Sequence, residues 1–310
     1  MTFKEVEVAR QTYNKKNRSF RKRAWIIYAI LVVFGLMIQL GTVRPSFYGS
    51  SFIAPMTTAV WLFVLSFFYL IIAAIIVSAS TNKEKLAYEK AYRSYFVEKV
   101  MKESFTDLHY CHEEKMPEEE LLRTLMVSTG DVYRSNDFTS GKYKDVNFSQ
   151  ADVCIQEEHK DSDGDKHYVT IFRGRFMIFE FPKKFEKRLL VAGKGAGAAV
   201  ARSKEFKKLE TESLDFNRHF RIYAEDGFEM FYLLDPAMMV RMENINNTYK
   251  GRTMFAFYEN KLLIGINDGK DSFEPPRSNK PLDEKVELEK NLADVKVITD
   301  LVDNLRLNRG

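Results

Sequence analysis

The run HYCHEE places His109, Cys111 and His112 within four residues of one another, with Glu113 and Glu114 directly behind them. Imidazole nitrogen and thiolate sulfur are the donors that zinc prefers, so this is the first place to look for a metal. A closed site needs more ligands, and no second Cys/His cluster follows at finger spacing. His159, His167, His219 and Cys154 could complete it only if folding carried them there. The run therefore reads as structural, and no metal is expected. Asp161, Asp163 and Asp165 alternate as in a calcium loop. Such a loop wants glycine at its sixth position and glutamate at its twelfth, where this chain has Lys166 and Phe172. A solvated hairpin tip fits better.

GKGAGA, residues 193–198, follows the apolar RLLVA and fits G-x-G-x-x-A. Gly193, Gly195 and Gly197 could let a pyrophosphate approach the backbone at a helix start. The context is poor. The following AAVARSKEF is short, no acidic residue ends a buried strand some twenty residues on, and the Gly-Lys-Ser/Thr ending of a P-loop is missing. A loop opening a short helix is expected there, with no cofactor. No nucleophile elbow, H-E-x-x-H helix or kinase signature occurs.

Any such residues must be positioned by the rest of the 310-residue chain, which is 45% hydrophobic and has the aromatic content to bury a core. Net charge is +4, but residues 1–23 carry eight Lys/Arg against two Glu, leaving the remainder at −2. A basic field over the folded part is therefore lacking, and nucleic acid is not an expected partner. Cys111 and Cys154 are too few for a disulfide framework.

The basic arm, 1–23, abuts an apolar run at 24–43, and a second apolar run occupies 59–79; neither contains a charge. Each is long enough, at helical rise, to cross a bilayer core. The connecting RPSFYGSSFIAPMTT is nearly neutral, with Pro45, Gly49 and Pro55 marking a turn. Arg18, Arg21, Lys22 and Arg23 before the first run, and Lys83, Lys85, Lys90 and Arg93 after the second, orient the pair. Cationic flanks stay inside, so 24–79 reads as a transmembrane hairpin of the bacterial inner membrane with both termini cytoplasmic.

No Gly or Pro interrupts residues 59–105, so the second span should run on as a stalk helix over 80–105. Tyr88, Tyr92, Tyr95, Phe96 and Val100 share one of its faces. Residues 106–310 then form the working domain. MPEEELLRTLMVS predicts a short helix starting at Pro117, and the polar STGDVYRSNDFTSGKYKD ends helical structure. Strands follow over about 146–192, folded back at Asp163-Gly164. HFRIYAE, RTMFAFYE and KLLIGIN also read as strands, the last two as a hairpin turning at Glu259-Asn260, with DPAMMVRMENI a helix between them. SFEPPRSNKP is a proline-stiffened linker. The C-terminal amphipathic helix, 282–306, carries Leu288, Leu292, Val295, Val302 and Leu305 on one side. The fold class is α+β: a helical hairpin, then an antiparallel sheet with flanking helices.

FRGRFMIFEFPKKFEKRLLV, LDFNRHFRIYAEDGFEMFYLLDPAMM, FAFYENKLLIGI, FEPP and the closing LRLN together resemble the bacterial family catalogued as domain of unknown function 3137. The matching positions are Phe172, Gly174, Phe176, Phe185, Phe216, Phe220, Asp226, Pro236, Phe257 and Leu262. Gly174 among them marks a strand bend or bulge. The resemblance implies two N-terminal spans and one cytoplasmic domain. It carries no catalytic residues and offers no counterpart to the glycines at 193–197. The family's association with LemA-type membrane proteins implies an envelope role.

The function expected is that of a non-enzymatic membrane-anchored domain that binds a protein partner or the lipid surface, with membrane lipids as its surroundings. The alternative is a membrane-associated enzyme whose nucleotide or metal site is unfamiliar, drawing on His109, His112 or His219. A channel or transporter ranks last, because the spans lack ionisable residues. A homo-oligomer is compatible with the sequence.

Overall fold

The structure is a computed structural model and describes residues 1–42, 53–128, 130–161, 163–196, 204–250 and 252–307. Val43, the connecting segment 44–52 and Gly197 therefore lie outside the described residues. The chain divides into two units, Met1–Tyr95 with Pro275–Glu284, and Phe96–Glu274 with Lys285–Gly310.

The first unit is a pair of 40-residue helices, α1 (Phe3–Thr42) and α2 (Ile53–Tyr92). Each runs for about 60 Å at 1.5 Å per residue. Their partners step in opposite directions along the chain, so the pair is antiparallel. Lys16 binds Glu84 at 2.6 Å, Tyr69 donates to Ala24 O at 2.9 Å, and Tyr28 stacks on Tyr69 with ring centres 6.1 Å apart. The proline-rich segment 275–284 is pinned to the polar end of this pair. Tyr88 donates to Pro276 O at 3.0 Å, Arg10 to Ser278 O, and Tyr95 to Glu284. Away from that end the helices turn apolar side chains outward, Trp25, Ile26 and Ile30 on α1 and Phe67, Phe68, Ile72 and Ile75 on α2. Among the described residues, one helical stretch, Val64–Ser104, is long and apolar enough to cross a membrane.

Helical structure continues beyond α2 through a π turn, Arg93–Val97, into α3 (Glu98–Ser104). Tyr88, Tyr92, Phe96 and Val100 are buried. The second unit is α+β, as expected, around a sheet that among the described residues has seven strands, all paired antiparallel. Its strands are β1 (Thr106–Cys111), β2 (Val132–Tyr143), β3 (Val146–Lys160), β4 (Lys166–Gly193), β5 (Lys207–Leu209), β6 (Phe220–Ala224) and β7 (Thr253–Ile266). The 28-residue β4 is the spine. Its first half lies between β3 and β7, its second between β6 and β7.

Three local readings change. The polar stretch 128–145 is mostly β2, because β3 pairs with it along nearly its whole length and makes room for Ser135, Asp137 and Thr139 as buried polar groups. FAFYENKLLIGI is one strand instead of a hairpin. Glu259, at φ 50°, is absorbed opposite Phe185 where the β4 register shifts, so the chain bulges without turning back. The third concerns the last of the helices α5 (Leu214–His219), α6 (Gly227–Leu233), α7 (Pro236–Thr248) and α8 (Glu284–Leu305). Helix α8 buries Glu287, Asn291, Val295, Ile298 and Val302, while Leu292 is exposed. Steps of three and four from Val302 lead to Asn291 and Glu287, so the buried stripe turns polar at its start.

Gly174 is required by close approach. A Cβ there would lie 1.9 Å from Ile266 O on the neighbouring β7. One sheet face carries the main core, in which Phe172, Phe176, Ile178, Met254 and Leu263 meet Met116, Leu121 and Met126 from the segment around α4 (Glu118–Leu122). By strand alternation, Gln150, Asp152, Arg175 and Met177 point to the opposite face.

Candidate functional site

The structure does not gather the histidines. His109 is exposed and meets Glu114 at 2.7 Å. His159 and His167 stack across the β3–β4 hairpin, 5.8 Å between rings, beside Glu157 and Asp161. His219 lies 3.8 Å from Glu243. Cys111 and Cys154 are free thiols on β1 and β3. Gly193 closes β4 opposite Phe220, and the N–H groups of Lys194 and Ala196 are committed to His219 O and Gly193 O. Arg18, Arg21, Lys22 and Arg23 lie exposed along α1.

His112 alone joins a carboxylate cluster, through Nδ1 to Asp137 Oδ1 at 2.9 Å. Asp137, Asp152 and Asp271 each bring one oxygen within 4.8 Å of the others. Sequence reading missed this cluster. The signal was Arg175, a cation directly before the run FMIFEF, which needs counter-charge if buried. Asp137 sits in the β2 bulge at φ 54° and accepts from Tyr110 at 2.6 Å and from Asn136 at 2.8 Å. Asp152 accepts from Ser272 N at 2.9 Å and Ser272 Oγ at 3.1 Å. Arg175 donates to Asp294 O of α8 at 2.6 Å and to Ser272 Oγ, lies 3.9 Å from Asp152, and sits over the Phe273 ring. Burial pushes the Asp152 carboxyl up to about 7, against the pull of Arg175. Asp137, Asp152 and Arg175 are buried and Asp271 is exposed, so the cluster meets solvent only at the Asp271 side. It ties the segment after β7 and helix α8 onto the sheet.

An open site of this unit is a cleft of about 420 Å³. Met116, Phe138, Phe148 and Ile178 give it an apolar floor, while Asp107, Glu120 and Glu180 stand as three carboxylates against the single ammonium of Lys261. Two of the three acids are held in place. Glu120 receives Tyr258 Oη–H at 2.7 Å and Lys261 Nζ at 3.0 Å to each oxygen, and Glu180 receives Asn147 Nδ2 at 2.7 Å. Asp107, at φ 50°, is exposed and 3.6 Å from Lys142. Burial alone would raise the Glu120 carboxyl, but the bonds from Tyr258 and Lys261 outweigh it and hold it below the usual range. Burial and the Glu120 charge push the Tyr258 phenol up, so it remains a donor. Chemically the cleft is an apolar slot with a fixed negative wall, suited to a ligand that joins a hydrophobic body to a cation.

Residues 170–307 match the family described as Protein of unknown function (DUF3137). The match takes in Arg175, Tyr258, Lys261 and Asp271, and leaves out Asp107, Glu120, Asp137 and Asp152. No curated protein matches the chain. Among solved structures, the chain is similar to the mycobacterial trehalose monomycolate transport factor A, TtfA, at 10% identity and a TM-score of 0.38, over 70% of this chain and 95% of that one. A likeness of that size bears on neither site.

Proposed function

We propose that this protein is a two-span anchor of the bacterial inner membrane, both termini cytoplasmic, whose sheet domain binds a basic, partly apolar segment of a membrane-associated protein. The cleft carries this reading: Glu120 and Glu180 are held by hydrogen bonds before any ligand arrives, over a floor of Phe138, Phe148 and Ile178. A preset negative wall gives orientation and specificity, and the apolar floor supplies affinity. An anionic lipid surface would be repelled by the same wall. The outward apolar side chains of α1 and α2, flanked by the cations of 1–23, support the anchor.

The cleft is tested with the full chain in detergent and a fluorescein-labelled peptide alternating lysine and leucine. The peptide should bind, its acidic counterpart should not, and Glu120→Gln with Glu180→Gln should weaken binding on the order of tenfold. Unchanged affinity in the double variant overturns the cleft assignment. The anchor is tested by adding a membrane-impermeant maleimide to intact cells. Cys111 and Cys154 should react only after permeabilisation, and labelling from outside defeats the topology.

A further inference from the structure

We infer that the groove between α1 and α2 is a binding site for an anionic phospholipid, resting on the reading of these helices as membrane-spanning. The two helices are in contact at Tyr28–Tyr69 and again at Lys16–Glu84, yet between these contacts they enclose a groove of about 430 Å³. The reason is local sequence. Ala24 on α1 faces Ala73, Ala74 and Ser78 on α2, and side chains this small leave the space between two helices unfilled.

The groove is graded along its length. Lys85 stands at one end with Tyr13, Asn17 and Thr81 near it; Arg21 follows about half-way along, one turn before Trp25, and Leu70 and Ala73 line the other end. The stretch from position 85 to position 70 spans about 22 Å at 1.5 Å per residue, enough for a headgroup and much of an acyl chain. No carboxylate lines it. Lys85 does have Glu89 at 3.5 Å, but its side chain is 53% exposed and free to turn. Arg21 has no hydrogen bond or ion pair among the described residues. A guanidinium offers paired donors that match phosphate oxygens, and a lysine adds a second positive charge. Trp25 at the junction is the residue type that settles at the headgroup level. Polar end toward the cytoplasm and apolar end toward the bilayer centre is the order a phospholipid of the inner leaflet requires. The neighbouring cations Arg18, Lys22 and Arg23 are not among the lining residues, so the groove is distinct from a general basic collar.

The full chain carrying Trp61→Phe, which leaves Trp25 as its one tryptophan, is reconstituted into vesicles of phosphatidylcholine with a minor fraction of phosphatidylglycerol, either lipid being brominated in its acyl chains in turn. Per mole, brominated phosphatidylglycerol should quench Trp25 on the order of tenfold more effectively than brominated phosphatidylcholine. Arg21→Gln with Lys85→Gln should abolish that preference while leaving quenching itself intact. Ala73→Leu with Ala74→Leu should lower it by filling the groove, and Arg18→Gln with Lys22→Gln should preserve it. Equal quenching by both lipids, or a preference untouched by Arg21→Gln with Lys85→Gln, overturns the site while leaving the anchor standing. Loss of the preference on adding inorganic phosphate assigns the groove to a soluble anion and overturns the lipid. Quenching by neither lipid overturns the anchor together with the groove.

Discussion

Two carboxylate–cation pairs of the second unit are built from the same ingredients and behave in opposite ways. Asp152 and Arg175 have side chains 5% and 7% exposed, whereas Glu120 and Lys261 are each 23% exposed. Arg175 stays 3.9 Å from Asp152 and spends its hydrogen bonds on Asp294 O and Ser272, so desolvation wins and the Asp152 carboxyl rises to about 7. Lys261 reaches both oxygens of Glu120 at 3.0 Å with Tyr258 behind it, so hydrogen bonding wins and that carboxyl falls. The first pair is closed and joins elements of the fold. The second is partly open to solvent and stays charged along the wall of the cleft. Solvent access and hydrogen-bond geometry separate a buried fastener from the charged wall of the proposed binding cleft, and residue identity does not.

The comparison breaks most visibly at Arg175. Arg175→Met leaves Asp152 buried without its cation and should cost about 3–5 kcal/mol, read by denaturant unfolding of the full chain in detergent. A cost below about 1 kcal/mol would mean that the cluster fastens nothing. Next comes Gly174→Ala, which drives a Cβ into Ile266 O, 1.9 Å away, at the β4–β7 seam shared by both pairs. A loss of about 2–3 kcal/mol is expected on the same assay, and a neutral outcome would refute the close approach.

Titration separates the pairs by sign. Asp152 has a folded value raised from 3.8 to about 7, so the unfolded chain gives up its proton first, and this residue lowers stability progressively as pH rises from about 4 to 7. Glu120 has a folded value below 4.5, so its contribution is present above that value and is lost as pH falls through the folded one. Melting temperature against pH should accordingly lose its decline between about 4 and 7 in Asp152→Asn and lose part of its acid limb in Glu120→Gln. Parallel curves for the two variants would erase the distinction. The smallest expected effect is that of Glu120→Gln on stability at pH 7, within about 1 kcal/mol, because a pair partly open to solvent contributes little. A much larger loss would move Glu120 from the binding wall to the framework.

Local pattern made the strands of β3, β4 and β6 and the helices α7 (Pro236–Thr248) and α8 legible. Asp235 and Pro236 announce the start of α7, and Asp235 indeed accepts from Met238 N at 2.6 Å. The pattern failed at β2, whose SNDFTS carries no apolar alternation, because its pairing is supplied by β3 and its buried side chains are polar. It failed at Glu259-Asn260, where a turn-like pair is held straight by a partner strand that bulges at the same place. It misplaced the start of α8, where Asn291 and not Leu292 faces inward.

The sequence by itself determined the antiparallel α+β character of the second unit, the long uncharged helical runs of the first and the confinement of excess positive charge to the N-terminal arm. These depend on composition and on periods of two and 3.6, which neighbouring residues express without help. Only the tertiary structure decided which charges meet. Asp137 reaches Asp152 through the β2–β3 register, and Asp271 reaches both because β7 returns alongside β4, placing the turn after Ile266 over the same patch. Glu120 likewise finds Tyr258 and Lys261 only when the segment before β2 is packed over the sheet. Contacts between residues so distant along the chain arise from register and packing, and no local pattern encodes them.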